Sequence, residues 1–478
     1  MYDKYGLFID GEWRAASDGS TATVASPVTE RSLGEAPTAT LEDAQAALAA
    51  AERGLGAWRA KSAFERADAL HAIADEMGRR QDEAARMITL ETGKPIAQSG
   101  REWVLATDQF RWYAEEARRI YGRIIESRVP GGRLEVLHEP IGVVAAFTAW
   151  NFPAALVARK IAPALAAGCS AILRPSSQTP GVAMVMIDCL RAGRLPPGTV
   201  GLLVGSTAAT YVPLMASALV RKVSLTGSTR VGQQMLRDAA DTVKKVSMEL
   251  GGNAPLIVFD DADIESALNV SVPTKFANAG QVCVTPDRFL IHEKVHDAFV
   301  DGFVARAKAL KLGDGLDPSV QMGPLINARR LDEIEKIVAD AEKAGARIAA
   351  GGGRSPAFNS GHFFEPTVLT EVADDMTVFA EENFGPVAAI TRFSSEEEVL
   401  GRANATKMGL SAYAFTRNAA RARRVVATLN AGMVGINSFA LAASEAPFGG
   451  TNHSGMGREG GAEGIRDYLD TKLAQVVF

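Results

Sequence analysis

Between residues 141 and 259 the chain keeps a regular beat. Short β-branched or apolar runs fall at 141–149, 169–173, 199–204, 220–226, 244–249 and 255–259. Stretches with helical spacing separate the first five, at about 153–167, 178–193, 206–218 and 229–239. This alternation leaves few options, because parallel strands need a crossover and a helix supplies it. The expected fold is α/β, a parallel sheet with helices on both faces, taking ligands beyond the carboxyl ends of its strands. With 47% apolar and 22% charged residues, the chain can fill such a core without a metal or a disulfide.

The rest of the chain frames this unit. Residues 41–60, 63–91 and 97–120 read as amphipathic helices, as do 261–277 and 293–311. From about 255 to 450 the beat returns less regularly, predicting a second α/β domain. Segments 123–138 and 468–478 alternate polar and apolar residues and suit neither core. They are expected to pair as a protruding arm whose exposed edge invites subunit contact.

Charge and cysteine usage exclude several partners. The net charge of −5 is spread along the chain, so no basic footprint for nucleic acid exists. Residues 140–158 carry no charge, a length near that of a membrane span. Pro140, Gly142, Asn151 and Pro153 interrupt the stretch, so a buried strand–turn–helix is expected instead, and no membrane. Three cysteines without metal-ligand spacing fit a reducing cytoplasm and no metal site. The opening Met-Tyr-Asp-Lys-Tyr-Gly does not run from a basic stretch into an apolar one, so a secretory signal is not expected.

Taken singly, the candidate site residues are ambiguous. Gly455-x-Gly457-x-x-Gly460 has the spacing of a dinucleotide fingerprint but lies too near the C-terminus for a βαβ unit to follow, so it reads as a turn. Thr226, Gly227 and Ser228 close a strand and open a helix, which suits either an anion or a plain helix cap. Cys169 and Cys189 read as small buried hydrophobes. Cys283 follows a Gly-Gln turn that can present a thiol to a cleft. Glu249 ends an apolar strand, where a carboxylate stripped of water can act as a base near neutral pH. Asn151 ends another strand at the same edge, either capping a turn or offering its amide to an oxyanion.

Six motifs in order remove the ambiguity: Trp150-Asn-Phe-Pro, Leu225-Thr-Gly-Ser, Met248-Glu-Leu-Gly-Gly-Asn, Asn278-Ala-Gly-Gln-Val-Cys, Glu381-Glu-x-Phe-Gly-Pro and Pro447-Phe-Gly-Gly. The chain resembles the aldehyde dehydrogenase superfamily from near residue 5 to its end. That likeness implies a Rossmann-like dinucleotide-binding domain from 1–122 and 141–250. It implies a catalytic domain over 251–450 and a small β oligomerisation arm from 123–140 and 466–478, in a homodimer or homotetramer. It implies that Cys283 attacks the aldehyde, that the Asn151 amide and the Cys283 N–H hold the oxyanion, and that Glu249 activates water against the thioester. Lys160 and Glu459 match a proton-relay pair. Trp150, Thr226, Gly227, Ser228 and Leu250 match the pyrophosphate and nicotinamide side of the cofactor cleft, and Glu382 and Phe384 the residues that hold the nicotinamide ribose and ring. Phe152, Arg159, Val282, Val284 and Ser444 match the substrate pocket.

Two features refine that picture. Where most members read Lys-Pro-x-Glu, this chain has Arg174-Pro-Ser176-Ser177. Without the carboxylate that repels a 2′-phosphate, and with a guanidinium nearby, NADP is favoured over NAD. Glu116-Ala-Arg-Arg-Ile-Tyr-Gly-Arg and Gly409-Leu-Ser-Ala-Tyr-Ala-Phe-Thr-Arg resemble the succinate-semialdehyde and 2-oxoglutarate-semialdehyde branch, in which an arginine matching Arg159 pairs the far carboxylate. A second arginine of that branch would fall at Ala277, and loop 438–444 is mostly small and apolar, so a neutral aliphatic or aromatic aldehyde stays open. A cysteine esterase or a non-catalytic protein on the same fold is the reading from other classes.

Overall fold

The structure, a computed structural model, describes residues 2–478. Its first sheet has eight strands, in the spatial order Gly455–Met456, Lys245–Glu249, Val220–Thr226, Val143–Phe147, Ser170–Arg174, Val200–Leu202, Leu7–Ile9 and Glu12–Arg14. The five strands from Lys245–Glu249 to Val200–Leu202 are parallel, and the helices Ala155–Ala167, Pro180–Leu190 and Thr229–Ala240 make crossovers between them. Val143–Phe147 shows why these strands read as unbroken apolar runs. Val144 and Ala146 join the core on one face, while Val143, Ala145 and Phe147 join the core on the other. A strand covered on both faces has no polar side.

The order of the strands creates a switch point. From Val143–Phe147 the chain steps one way to Ser170–Arg174 and Val200–Leu202, then crosses to the other side for Val220–Thr226 and Lys245–Glu249. The loops after Val143–Phe147 and Val220–Thr226 therefore part company, leaving a crevice at their carboxyl ends. The uncharged stretch 140–158 is the strand Val143–Phe147, a turn and the start of helix Ala155–Ala167. Among the described residues, no helix is long and apolar enough to cross a membrane.

A second sheet of seven strands carries its own core, in the order Arg347–Ala350, Thr367–Thr370, Val387–Phe393, Pro286–His292, Ala254–Val258, Ser411–Phe415 and Met433–Ile436. All its neighbours are parallel except the edge pair Arg347–Ala350 and Thr367–Thr370. Leu469–Val477, Gly132–Pro140 and Arg123–Glu126 form a separate three-stranded sheet. Leu469 to Val477 run antiparallel to Pro140 to Gly132 without a break in register. Ile124, Leu137 and Leu473 are exposed on it.

Candidate active site

The crevice of the first sheet opens into a cavity of about 340 Å³. Trp150, Asn151 and Phe152, in the turn after Val143–Phe147, line one wall. Asn151 is buried, and its Nδ2 donates to the carbonyl of Gln281 at 3.1 Å while its Oδ1 has no partner. Thr226, Gly227 and Ser228 line the neighbouring wall. The Ser228 hydroxyl also accepts from the Val231 N–H at 3.4 Å, so cap and cleft wall are the same three residues. Glu249 closes the adjacent strand with both carboxylate oxygens buried and unpartnered.

The second sheet meets this wall with the opposite ends of its strands. Cys283 lies just ahead of Pro286–His292, and Glu382 and Phe384 just ahead of Val387–Phe393. The turn that delivers Cys283 is backbone-strained: Asn278 and Ala279 sit at φ 47° and 54°. Left-handed backbone outside glycine costs on the order of 1–3 kcal/mol per residue. Hydrogen bonds hold it, with Gln281 donating to the Asn278 carbonyl at 2.9 Å and accepting from the Ile326 N–H at 2.9 Å. Trp150 and Phe384 meet edge to face across the cavity, ring centroids 5.6 Å apart.

One thiol and two carboxyl groups share this space. Burial pushes the Glu249 carboxyl up to about 7, Glu459 adds to the rise, and Lys160 and Arg159 oppose it. Burial pushes Glu382 up to about 8 against the Gly252 N–H that donates to it at 2.9 Å. The Cys283 thiol is raised well above its ordinary range by burial first, then by Glu249 and Glu382. Groups this close, each held partly out of water, do not all carry negative charge. The resting thiol is therefore neutral, beside a carboxyl poised to take a proton near neutral pH.

Arg159 lines the cavity from helix Ala155–Ala167, whose thirteen residues are all buried. Its guanidinium lies over the Phe448 ring, 3.9 Å from the centroid, and its Nε has no hydrogen-bond partner. Among the described residues, no acidic side chain forms an ion pair with it. Lys160, the next residue, points elsewhere: it donates to Thr226 Oγ1 at 2.7 Å and to Glu459 in a short buried ion pair.

This constellation has relatives. The model of the aldehyde dehydrogenase family matches residues 13–474. The chain belongs to the aldehyde dehydrogenase family. It is 45% identical to the 3-sulfolactaldehyde dehydrogenase of Pseudomonas putida, covering 98% of this chain and 96% of that one. It is 44% identical to the NADP(+) succinate-semialdehyde dehydrogenase of Escherichia coli, covering 97% and 96%. Among solved structures, an NADP-dependent enzyme of Escherichia coli superposes with a TM-score of 0.98 at 42% identity, covering 100% of this chain and 99% of that one.

In this aldehyde dehydrogenase the cavity gathers Trp150, Asn151, Phe152, Arg159, Thr226, Gly227, Ser228, Glu249, Leu250, Val282, Cys283, Val284, Glu382 and Phe384. Lys160 and Glu459 lie behind it. Arg174, Ser176, Ser177 and Ser444 do not line it. Arg174 ends the strand Ser170–Arg174 with its guanidinium donating to the Gly205 carbonyl at 3.0 Å, and Ser177 beyond it is exposed. Ser444 is buried and accepts from Gln109 Nε2 at 3.1 Å. Gly455 is not the turn residue it reads as: it opens the edge strand Gly455–Met456, pressed so closely on Lys245–Glu249 that a Cβ would come 1.9 Å from the Met248 carbonyl, and the bends fall at Gly457 and Gly460.

Several wall and support residues escaped the sequence reading. A Cβ on Gly251 would come 2.5 Å from Glu382 Oε2, and one on Gly252 would come 2.4 Å from the Cys283 carbonyl. The Gly-Gly of the Glu249 motif is thus one place where the two sheets touch. Arg330 donates to the carbonyls of Asn383 and Phe384, holding Phe384 at φ 45°. The buried Lys275–Asp287 pair, at 2.8 Å, supports the same loop, with Asp287 accepting the Asn383 N–H at 3.0 Å. No spacing in the sequence marks these contacts.

Proposed function

We propose that this aldehyde dehydrogenase oxidises a small aldehyde carrying a distal anion to its carboxylic acid, with a nicotinamide dinucleotide as acceptor. The observation that carries this reading is a single cavity holding Cys283, Glu249 and Asn151 together with the unpaired guanidinium of Arg159. The relatives named above act on a sulfonate-bearing and a carboxylate-bearing aldehyde, so either anion suits Arg159.

The groove beside the thiol fits the cofactor. Gly227 leaves room for close backbone approach, the first turn of helix Thr229–Ala240 offers free N–H groups to a pyrophosphate, and half-buried Glu382 can accept from a ribose hydroxyl. The likeness to NADP-dependent relatives and Ser177 in place of a carboxylate favour NADP over NAD. When bound, the nicotinamide ring supplies the acceptor for a hydride.

The chain's own groups do the rest. Ionised Glu249 takes the thiol proton, and Cys283 Sγ bonds the aldehyde carbon, giving a thiohemiacetal. The Asn151 amide and the Cys283 N–H hold the oxygen as it gains charge. Once the carbon has lost its hydride, Glu249 takes a proton from water, the hydroxide adds to the thioester, and the thiolate leaves. The Lys160–Glu459 pair, whose charges act on Glu249, hands those protons on.

The exposed apolar residues of the arm favour a homodimer or homotetramer. Unpaired Cys169, Cys189 and Cys283 suit a reducing cytoplasm.

The test is reduced-cofactor absorbance with an aldehyde panel, run beside an ester-cleavage assay. Succinate semialdehyde and 3-sulfolactaldehyde should exceed propanal in kcat/KM. Equal values would remove the distal anion and leave a neutral aldehyde, which Ala277 and the apolar wall of Leu105, Val282 and Ala442 favour. Ester cleavage without any aldehyde-dependent reduction would overturn the redox reading.

A further inference from the structure

Lys94 and Glu102 are both almost fully buried, with Nζ and Oε2 2.5 Å apart. Burial pulls the Lys94 ammonium below its usual range against the pull of Glu102. Pairs of this kind stabilise little, and apolar residues of similar volume commonly serve as well. What apolar residues cannot do is donate and accept at fixed points.

Both members hold the turn that carries Asn151. Lys94 Nζ donates to the Asn151 carbonyl at 2.7 Å and sits 4.1 Å from the centroid of the Phe152 ring. Glu102 Oε1 accepts the N–H of Ala154 at 2.8 Å and of Ala155 at 3.3 Å. Those are the opening donors of helix Ala155–Ala167, whose own N-cap residue is an alanine with no side chain to cap it. A carboxylate from another helix, Ile96–Ala117, does the capping, where the helix dipole also favours it. One ion pair thus pins the turn at both ends, while Asn278 Nδ2 adds a second bond to the Asn151 carbonyl at 3.1 Å.

We propose that Lys94 and Glu102 are positioning residues that fix the Asn151 side chain for the oxyanion. This rests on the reading of Asn151 as the oxyanion donor. A displacement of about 1 Å at such a donor costs on the order of 100-fold in rate, and with the pair removed the Asn151 carbonyl keeps only the Asn278 bond, while its side-chain amide keeps the bond to the Gln281 carbonyl.

The test is a double-mutant cycle between Asn151→Ala and the paired change Lys94→Met/Glu102→Gln, which leaves no lone buried charge. Steady-state kcat with succinate semialdehyde and NADP is read beside thermal melting. In the parent background the paired change should lower kcat on the order of 100-fold with the KM for NADP unchanged. In the Asn151→Ala background it should lower kcat no further. Equal fold-losses in both backgrounds would overturn the proposal and leave the pair a structural element only. Parent-like kcat in Asn151→Ala alone would remove the oxyanion reading, and the clamp with it, by a different pattern. Should the paired variant not fold, Lys94→Gln/Glu102→Gln carries the same cycle, because it also leaves no lone charge and keeps a polar group at each point of the turn. Its smaller loss should likewise vanish in Asn151→Ala, and persistence there would refute the clamp.

Discussion

Asn151 and Gln281 join the two sheets at the site: the asparagine amide, from the first sheet, donates at 3.1 Å to the glutamine carbonyl two residues ahead of Cys283. The loop of the proposed nucleophile and the group read as oxyanion donor are therefore registered to each other by a direct bond. Asn151→Ala is expected to lower kcat by about 100- to 1,000-fold, the usual cost of one oxyanion donor. Steady-state kinetics with saturating cofactor check this, and a change confined to KM would count against the role.

Glu249 makes a pH-dependent contribution to stability. Its carboxyl is raised from 4.5 to about 7 in the folded chain, chiefly by burial. The folded state therefore holds a proton that the unfolded chain releases, so stability falls as pH rises from about 4.5 through about 7. For so buried a group this amounts to on the order of 3 kcal/mol above that window. Glu249→Gln cannot ionise, so it should melt above the parent at pH 8 and level with it at pH 4.5. A variant melting below the parent at pH 8 would show the carboxylate to be stabilised instead.

Arg159 is the substrate's expected partner. Arg159→Leu should raise KM for succinate semialdehyde about 10- to 100-fold, the worth of one charge-assisted hydrogen bond of roughly 1.5–3 kcal/mol, while propanal kinetics stay unchanged. Equal losses on both aldehydes would make Arg159 a structural cation stacked on Phe448.

Ser177 tests the cofactor preference. A carboxylate there would repel a 2′-phosphate, so Ser177→Glu should lower kcat/KM for NADP and leave NAD unharmed. Ratios of kcat/KM for the two cofactors measure this. An unchanged ratio would mean that the exposed position does not face the adenosine ribose.

How much of this was legible in the sequence depended on the range of the forces involved. The doubly covered strands announced themselves, because Val143–Phe147 must be apolar on both faces and the helices between strands keep their own period. The arm was legible for the opposite reason, since the alternation in 123–138 and 468–478 suited no core and became strands paired with each other. Asn151, Glu249 and Thr226 could be found from the carboxyl-end rule alone. Cys283 and Glu382 could not, because they sit ahead of their strands: a Gly-Gln turn made Cys283 a candidate, and the motifs supplied the rest. The supports were silent: Lys94 with Glu102, Lys275 with Asp287, and Gly252 against Cys283 act between segments distant in the chain, where no local pattern records the contact. Arg174 was read as a phosphate fork, yet its guanidinium also serves the Gly205 carbonyl, a tie that no propensity reveals.

The most direct measurement is turnover of Cys283→Ala. The expected result is no aldehyde-dependent cofactor reduction and no ester cleavage, in a protein that melts near the parent temperature because the side chain lost is small. Aldehyde oxidation at anything near the parent rate would contradict the account, since no other thiol reaches the cavity.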